Sequence, residues 1–255
     1  MKILEENYYG SLCTLMYEIL HPQAPQDELE FYLSYAKTEQ KILEPLCGSG
    51  RFLVPFLKQG FNIEGMDASE HMLNALKAKA PGAKFTCSPI LSFKSKSKFD
   101  YIFITSGSVS LFTDLNKCEE ILLKIKNLLT DNGVFVFAVD TVANIQSNES
   151  DYTLKAQAST KEGHILKFLS KDQYQEQSQT QFMHSIYQLC KPIQGADDRV
   201  LQQEYMNFQT HMYRFGEMEQ MLSKVGFSLV KNYCDFAKNI ARSDQNEMFL
   251  FECRP

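Results

Sequence analysis

The sequence predicts an α/β fold with a doubly wound, mostly parallel sheet of seven strands. Short apolar runs alternate with helical patterns from Lys41 to Asp140, the segments between them are short, and two further strand-like runs close the chain after a last helix. Strand–helix–strand repeats of this kind make right-handed crossovers and cover both faces of a parallel sheet with helices. Ligands on such sheets bind beyond the carboxyl ends of the strands, so functional residues are expected just after each strand.

Each element follows from periodicity and from turn residues. Predicted strands fall at 42–46, 62–67, 83–87, 99–107, 134–140, 228–236 and 247–253. Predicted helices fall at 50–60, 69–80, 114–133 and 215–227. Ser69 and Asp114 are the expected N-caps, and Gly60, Gly133 and Gly226 the expected stops. The run at 99–107 is apolar almost throughout, which indicates a strand buried on both faces.

The segment between the two halves of this pattern has a different character. Residues 150–213 are polar and alternate weakly, with a turn signal at 195–198, which predicts an antiparallel β meander with one face in water. The predicted organisation is a helical cap over 1–40, a ligand-binding sheet domain over 41–149 and 214–255, and an antiparallel insertion over 150–213 that serves as a lid.

Composition and charge exclude several classes of function. The chain has 255 residues, a formal net charge of -5 and no basic block longer than KSKSK at 94–98, so no nucleic-acid partner is expected. Its seven cysteines form no CxxC pair, which predicts reduced thiols and no metal site. The N-terminus turns polar too early for a signal peptide, and no apolar run reaches the roughly 20 residues of a membrane-spanning helix. We therefore expect a cytoplasmic protein without a membrane partner.

Residues 41–53, KILEPLCGSGRFL, carry the strongest functional signal. An acid, Glu44, lies in a buried strand, and Gly48 and Gly50 follow it. These glycines let the backbone approach a ligand closely. Asp67 lies at the tip of the next strand, where a carboxylate can accept hydrogen bonds from both hydroxyls of a ribose. Together these residues predict a nucleoside site.

Two details decide which nucleoside the site would take. A dinucleotide fold shows GxGxxG, whereas Leu53 stands here in place of the third glycine. Glu44 would repel a pyrophosphate but suits a cation. S-adenosylmethionine carries a ribose, a sulfonium and an α-amino group, and no phosphate, so it is the predicted cofactor. A nicotinamide-dependent oxidoreductase is the weaker alternative, and a non-catalytic S-adenosylmethionine-binding module stays open.

The segment ILEPLCGSGRFLVPFLKQGFNIEGMDASEHML resembles the class I S-adenosylmethionine-dependent methyltransferases of the small-molecule branch. FDYIFITSGSVSLFTD resembles their fourth-strand motif, NEMFLFECRP their seventh strand, and YYGSLCTLMYEILHP their leading helix. The resemblance implies a Rossmann-like methyltransferase fold. The chain departs from the family pattern at Leu46, where a glycine is usual, and at Cys87-Ser88-Pro89-Ile90, where an acid near adenine is usual.

The resemblance also implies a cofactor role for individual residues. Glu44 would fix the methionine end, beside a pocket wall altered by Leu46, and Asp67 would hold the ribose. Ala68 and Met72 would contact ribose or adenine, and Pro89 and Ile90 would flank adenine. The remaining implied contacts are the cofactor-lining Gly48, Ser49 and Gly50, the residues under the sulfonium, Thr105, Ser106 and Gly107, and the carboxylate ligands Tyr17 and Arg51.

The acceptor is predicted only as a class. Methyl transfer from a sulfonium needs alignment more than a base, so no catalytic residue is assigned. His184, Tyr187, His211 and Tyr213 are expected to line an acceptor pocket, because the insertion would cap the cofactor site. The sequence ITSGS after the fourth strand lacks the Asn/Asp-Pro-Pro-aromatic motif, and no Pro-Cys pair is present, which disfavours nucleic-acid methylation. We expect transfer to nitrogen or oxygen of a small metabolite, with a homodimer left open.

Overall fold

The computed structural model describes residues 7–255 and confirms the predicted sheet. Its strands are β1 Lys41–Pro45, β2 Asn62–Asp67, β3 Lys84–Cys87, β4 Phe99–Ile104, β5 Leu129–Asp140, β10 Leu229–Tyr233 and β11 Met248–Arg254. They follow the order β10-β11-β5-β4-β1-β2-β3. Strands β1 to β5 pair in parallel, whereas β11 pairs antiparallel with both β5 and β10.

The chain forms two compact units. The larger unit comprises Gln23–Ile145 and Thr210–Pro255 and contains the seven-stranded sheet. The smaller unit comprises the described residues of the first 22 together with Gln146–Gln209 and contains a four-stranded antiparallel sheet. The predicted domain boundaries at residues 40, 149 and 213 stay predictions. Residues 1–6, which belong to the predicted N-terminal helical cap, lie outside the described part of the chain.

Helices cover both faces of the large sheet, as the repeat pattern predicts. On one face, α5 Leu115–Leu128 and α6 Glu217–Val225 pack on a core that includes Ile102 and Ile104 of β4. On the other face, three helices pack on a core that includes Tyr101 and Phe103 of the same strand: α2 Gln26–Leu33, α3 Leu53–Lys58 and α4 Glu70–Lys79. The alternation of β4 residues between the two cores confirms burial on both sides.

Two predicted helix bounds are wrong. The helix predicted over 114–133 ends at Leu128, because Leu129 is already extended and pairs with Phe99. The register then shifts, so that residues 130–133 form a bulge that periodicity reads as helix. The helix predicted over 50–60 begins only at Leu53, because the preceding residues form turns. The predicted N-caps are confirmed, since Asp114 accepts from Asn116 N at 3.0 Å and Ser69 from Met72 N at 3.2 Å.

The smaller unit packs one helix on its antiparallel sheet. Helix α1 Ser11–Leu20 places Leu12, Cys13 and Met16 in a core with the sheet. Glu204 of the last strand caps this helix, accepting from Ser11 N at 2.9 Å and from Leu12 N at 2.8 Å. The sheet consists of β6 Thr153–Ser159, β7 Ile165–Gln175, β8 Thr180–Lys191 and β9 Arg199–His211, which confirms the predicted antiparallel meander.

Within residues 7–255, none of the helices combines the length and the apolar character that crossing a bilayer requires.

Gly50 and Gly60 provide a matched test of the packing between the first loop and α4. Both have positive φ, of 80° and 85° respectively. A Cβ at position 60 meets nothing within 4 Å, whereas a Cβ at position 50 overlaps Cδ1 of the buried Leu76. Gly60→Ala should cost only the left-handed backbone, about 1–2 kcal/mol. Gly50→Ala should cost about 1–3 kcal/mol more, because it also overpacks the core. Urea unfolding of both variants measures this difference, and equal costs would contradict the proposed packing.

Candidate functional site

The loop that follows β1 holds an unusual concentration of left-handed backbone. Leu46, Gly48 and Gly50 have φ of 57°, 51° and 80°. The turn is closed by a hydrogen bond from Gly50 N to Cys47 O of 2.8 Å. A left-handed leucine costs roughly 1–2 kcal/mol, so Leu46 keeps the backbone shape at a position where the resembling family has glycine. Strain of this kind persists where the surrounding structure holds it, which is typical of ligand-binding loops.

Asp67 joins this loop to the loop that follows β2. Its Oδ2 accepts from Gly48 N at 2.8 Å, and its Oδ1 accepts from Ser69 N at 2.8 Å. Burial raises the pKa of the Asp67 carboxyl, and the backbone N–H groups of Ser69, Gly48 and Ala68 partly oppose that rise. A carboxylate offers about four lone-pair sites, so Asp67 can still accept a hydrogen bond from a ligand.

Glu44 is a buried acid beside the same loop. Its side chain is 1% exposed, and burial raises the pKa of its carboxyl well above the usual range. The Leu53 backbone N–H bonds the carboxylate, but Oε2 has no hydrogen-bond partner among the described residues. An unsatisfied buried acceptor costs about 1–3 kcal/mol, more when charged. This site therefore fits a ligand that supplies positive charge and hydrogen-bond donors, as S-adenosylmethionine does.

Helix α2 contributes a second buried acid, Glu28. The helix is anchored by Tyr32, whose hydroxyl donates to Ile104 O at 3.1 Å and whose carbonyl accepts from Tyr101 Oη at 2.9 Å. One turn earlier, Glu28 Oε1 accepts from Ser106 N at 2.9 Å and from Ser106 Oγ at 3.2 Å. Burial raises the pKa of Glu28, and the Ser106 N–H and a nearby arginine lower it.

That arginine is Arg51, which connects the first loop to the loop after β4. Its guanidinium donates to Ser106 Oγ, and its charge opposes the rise in pKa of both Glu28 and Glu44. Arg51 thus offsets part of the charge of two buried carboxyls. Its contact with Ser106 also makes the two loops one structural unit at the carboxyl ends of the strands.

The loop after β4 is held in a left-handed turn against β5. Ser106 and Gly107 have φ of 56° and 68°. A Cβ at position 107 would lie 2.7 Å from Asp140 Oδ1, so only glycine lets the loop approach the end of β5 this closely. Burial raises the pKa of Asp140 to about 6.

The structure brings most of the predicted cofactor residues to one edge of the large sheet. Thr105 and Ser49 are buried there, and Ser49 Oγ has no partner within the described residues. Met72 is 3% exposed, and its Sδ would lie 3.9 Å from a Cβ at position 48. Ala68 and Pro89 are exposed and Ile90 is buried, at the ends of β2 and β3. Their individual roles toward a cofactor stay predictions.

His211 and Tyr213 lie in the larger unit as supports of β5. The Tyr213 ring is fully buried, its hydroxyl lies 3.7 Å from Cys118 Sγ, and its backbone N donates to Asp140 O at 2.9 Å. The buried His211 places its Nε2 2.7 Å from Oε1 of Glu217, which is partly exposed. The structure therefore gives Tyr213 a core position, and the predicted contact of both residues with an acceptor stays a prediction.

Tyr17, His184 and Tyr187 lie in the smaller unit. Tyr17 is on α1, with its ring edge-on to Tyr9 at a centroid separation of 6.1 Å. Tyr187 is 5% exposed and stacks on Phe168. His184 Nδ1 lies 2.9 Å from Asn207 Oδ1. Their predicted roles toward cofactor or acceptor stay predictions.

Sequence reasoning missed two acids of this site, Glu28 and Asp140. Glu28 reads as an ordinary first-turn acid of a surface helix, because nothing local shows that Tyr32 docks that helix on β4. Asp140 ends a predicted strand, and this position at a strand end is the sequence signal that could have marked it as a site residue. Only the fold shows that it packs against Gly107.

Comparisons with known proteins agree with this arrangement. Residues 42–133 match a family model described as a methyltransferase domain. A Geobacillus sp. (strain WCH70) protein provisionally named a methyltransferase is 24% identical, covering 92% of this chain and 95% of the relative.

Solved structures show the same fold. An S-adenosylmethionine-dependent methyltransferase from Clostridium acetobutylicum ATCC 824 superposes with a TM-score of 0.74 at 13% identity, covering 94% of this chain and 96% of the other. The sugar N-methyltransferase KedS8 from Streptoalloteichus sp ATCC 53650 gives 0.73 at 14% identity, covering 100% and 99%. The predicted Rossmann-like methyltransferase fold is confirmed.

The raised pKa of Asp140 predicts a pH-dependent stability. The folded protein holds this proton more tightly than the unfolded chain, so the contribution to stability is full below pH 3.8 and is lost as pH rises through about 6. Asp140→Asn has no such proton. From pH 4 to 7 the free energy of unfolding of the wild type should fall by about 2–3 kcal/mol relative to the variant. Urea unfolding across this range measures the difference, and parallel profiles would contradict it.

Proposed function

Because the chain is a class I S-adenosylmethionine-dependent methyltransferase, we propose that it transfers a methyl group to a nitrogen or oxygen atom of a small-molecule acceptor. The bound cofactor supplies a methyl group already activated on a sulfonium. The protein then has to align the acceptor atom with that methyl group and exclude water.

The observation that carries the proposal is the combination of Asp67, Gly48 and Glu44. Asp67 fixes the Gly48 amide at 2.8 Å and leaves lone pairs for a ribose. A Cβ at position 48 would have only Met72 Sδ nearby, at 3.9 Å, so the space above Gly48 is open to a ligand. The buried Glu44 carboxyl, with a free Oε2 among the described residues, favours the cationic methionine end.

Other residues would position the reacting end of the cofactor. Arg51 is tied to Ser106, and Ser106 is tied to Glu28, so the loop over 105–107 has a fixed conformation. We assign this loop to the surface beneath the sulfonium and Arg51 to the carboxylate of the cofactor. Pre-organised groups of this kind accelerate transfer because they need no rearrangement during the reaction.

The acceptor class rests on separate support. The formal net charge is -5, which does not favour a polyanionic acceptor. Solved neighbours include a protein titled a sugar N-methyltransferase and one titled an amino pentose methyltransferase, with 14% identity in each case. These titles are consistent with a small-molecule acceptor, and nitrogen and oxygen both remain as the receiving atom.

Turnover against a metabolite panel tests the proposal. Purified protein would be incubated with S-adenosylmethionine and amines, amino sugars, phenols or carboxylic acids, and S-adenosylhomocysteine release would be measured. We expect acceptor-dependent release above the level without acceptor. Cofactor binding without turnover across nitrogen and oxygen nucleophiles would contradict the proposed transfer.

Gly48→Ala should block the cofactor without unfolding the chain. The added methyl enters the space that the proposal gives to the ligand, so the affinity for S-adenosylhomocysteine should fall about tenfold or more, as expected for overpacking worth about 1–3 kcal/mol. Titration calorimetry measures the affinity.

Gly60→Ala is the matched control, because it carries a comparable left-handed backbone cost with nothing within 4 Å of the new Cβ. Its affinity should equal that of the wild type. Equal affinities for Gly48→Ala and Gly60→Ala would place the cofactor elsewhere.

A further inference from the structure

The smaller unit contains a cavity of about 190 Å³ between α1 and the antiparallel sheet. Five aromatic rings line it: Tyr9, Tyr17, Phe168, Tyr187 and Phe208. Core residues Cys13 and Met16 close its inner end, with exposures of 3% and 2%, whereas Leu20 at its rim is 45% exposed. The cavity is thus closed at the base and reachable from the C-terminal end of α1.

The rings form two walls with definite orientations. On the sheet, Phe168 stacks on Tyr187 with centroids 4.8 Å apart and planes 9° from parallel. Tyr9 lies edge-on both to Tyr17 of α1 and to Phe208 of β9, with interplanar angles of 89°. Fixed rings offer both faces and edges, which are the surfaces that a planar aromatic ligand contacts best.

Three methionines complete the lining: Met16, Met183 and Met206. Methionine side chains are flexible and polarisable, so they adapt to the outline of a ligand and make favourable contacts with aromatic rings. A cavity of fixed rings and adaptable thioethers suits a flat apolar group and tolerates substituents on it.

The charge of the lining selects against anionic ligands. Among the described residues that line the cavity there is no Asp, Glu, Lys or Arg. A carboxylate or a zwitterion would lose its hydration there without a charged partner, which is costly. The Cys13 thiol and the Tyr187 hydroxyl are hydrogen-bonded to each other, so the wall that they form offers a ligand mainly apolar contact.

The volume limits the size of the ligand. An apolar protein cavity of about 150 Å³ holds benzene, so a cavity somewhat larger admits one substituted ring or two fused rings. Drug-sized ligands occupy pockets of roughly 300–1,000 Å³ and would not fit within it.

We propose that this cavity binds an uncharged planar ring system of one or two fused rings. This proposal is independent of the proposed function, because it follows from the shape, lining and volume of the cavity alone.

Indole is the probe. The wild-type protein should bind indole with measurable heat, with and without saturating S-adenosylhomocysteine. Benzoate should bind at least tenfold more weakly, because the lining holds no cationic side chain. Tetramethylammonium, which aromatic rings can attract, should bind no more tightly than indole. Absence of indole binding at millimolar concentration, or tighter binding of either charged probe, would overturn the proposal. Loss of indole binding at saturating S-adenosylhomocysteine would also overturn it, because the cavity would then belong to the cofactor.

Two tryptophan variants localise the binding, since the chain contains no tryptophan. Met183→Trp fills the cavity from the partly buried face of β8 and should lower indole affinity at least tenfold. Phe215→Trp is the control, because Phe215 is 44% exposed in the larger unit and does not line the cavity. It should leave the affinity unchanged. Equal affinities in both variants would place indole elsewhere.

A second variant keeps the outcome unambiguous. If Met183→Trp does not fold, Phe208→Leu removes one ring from the wall with a smaller change and should weaken indole binding at least threefold; unchanged binding would overturn the proposal. Normal S-adenosylhomocysteine binding without indole binding sinks only this inference, whereas indole binding without cofactor binding sinks the proposed function.

Discussion

The carboxylate of Asp67 accepts hydrogen bonds from the backbone of two different loops, and the geometry of the candidate site depends on that double contact. Gly48 N and Ser69 N each lie 2.8 Å from one of its oxygens. The first contact sets the loop after β1, where Leu46 and Gly48 take left-handed conformations that would otherwise be unfavourable. The second fixes the start of α4, whose Met72 faces the same open space.

A site built from buried carboxyl groups lowers the stability of the fold, and nearby hydrogen-bond donors and one arginine offset part of that loss. Desolvation raises the pKa of Glu28, Glu44 and Asp67 together. Arg51 and backbone donors offset part of that penalty, but Glu44 Oε2 has no partner among the described residues. The remaining imbalance favours a positively charged ligand. The buried acids at the strand ends thus lower the stability of the fold but favour the binding of a cation. Functional sites commonly depart in this way from the rules that the rest of a fold obeys.

Much of the fold could be predicted from the sequence because its signals are local. Strand runs, the caps Ser69 and Asp114, and the Gly48 and Asp67 pair each act within one βαβ unit. Long-range contacts could not be predicted in the same way. The bulge before Val134 depends on pairing with β4, and the role of Glu28 depends on a helix docked by Tyr32. The cap that Glu204 gives to α1 joins residues 193 positions apart.

The ribose assignment of Asp67 is the central claim, and titration calorimetry of Asp67→Ala with S-adenosylhomocysteine tests it most directly. Glu64→Ala on the same strand is the control, because Glu64 pairs with Lys41 at 3.6 Å near the other end of β2. Loss of hydrogen bonds to a charged group is worth about 1.5–3 kcal/mol. If Asp67 binds the ribose, we therefore expect at least a tenfold loss of affinity in Asp67→Ala and none in Glu64→Ala. A folded Asp67→Ala variant that binds as tightly as the wild type would contradict it.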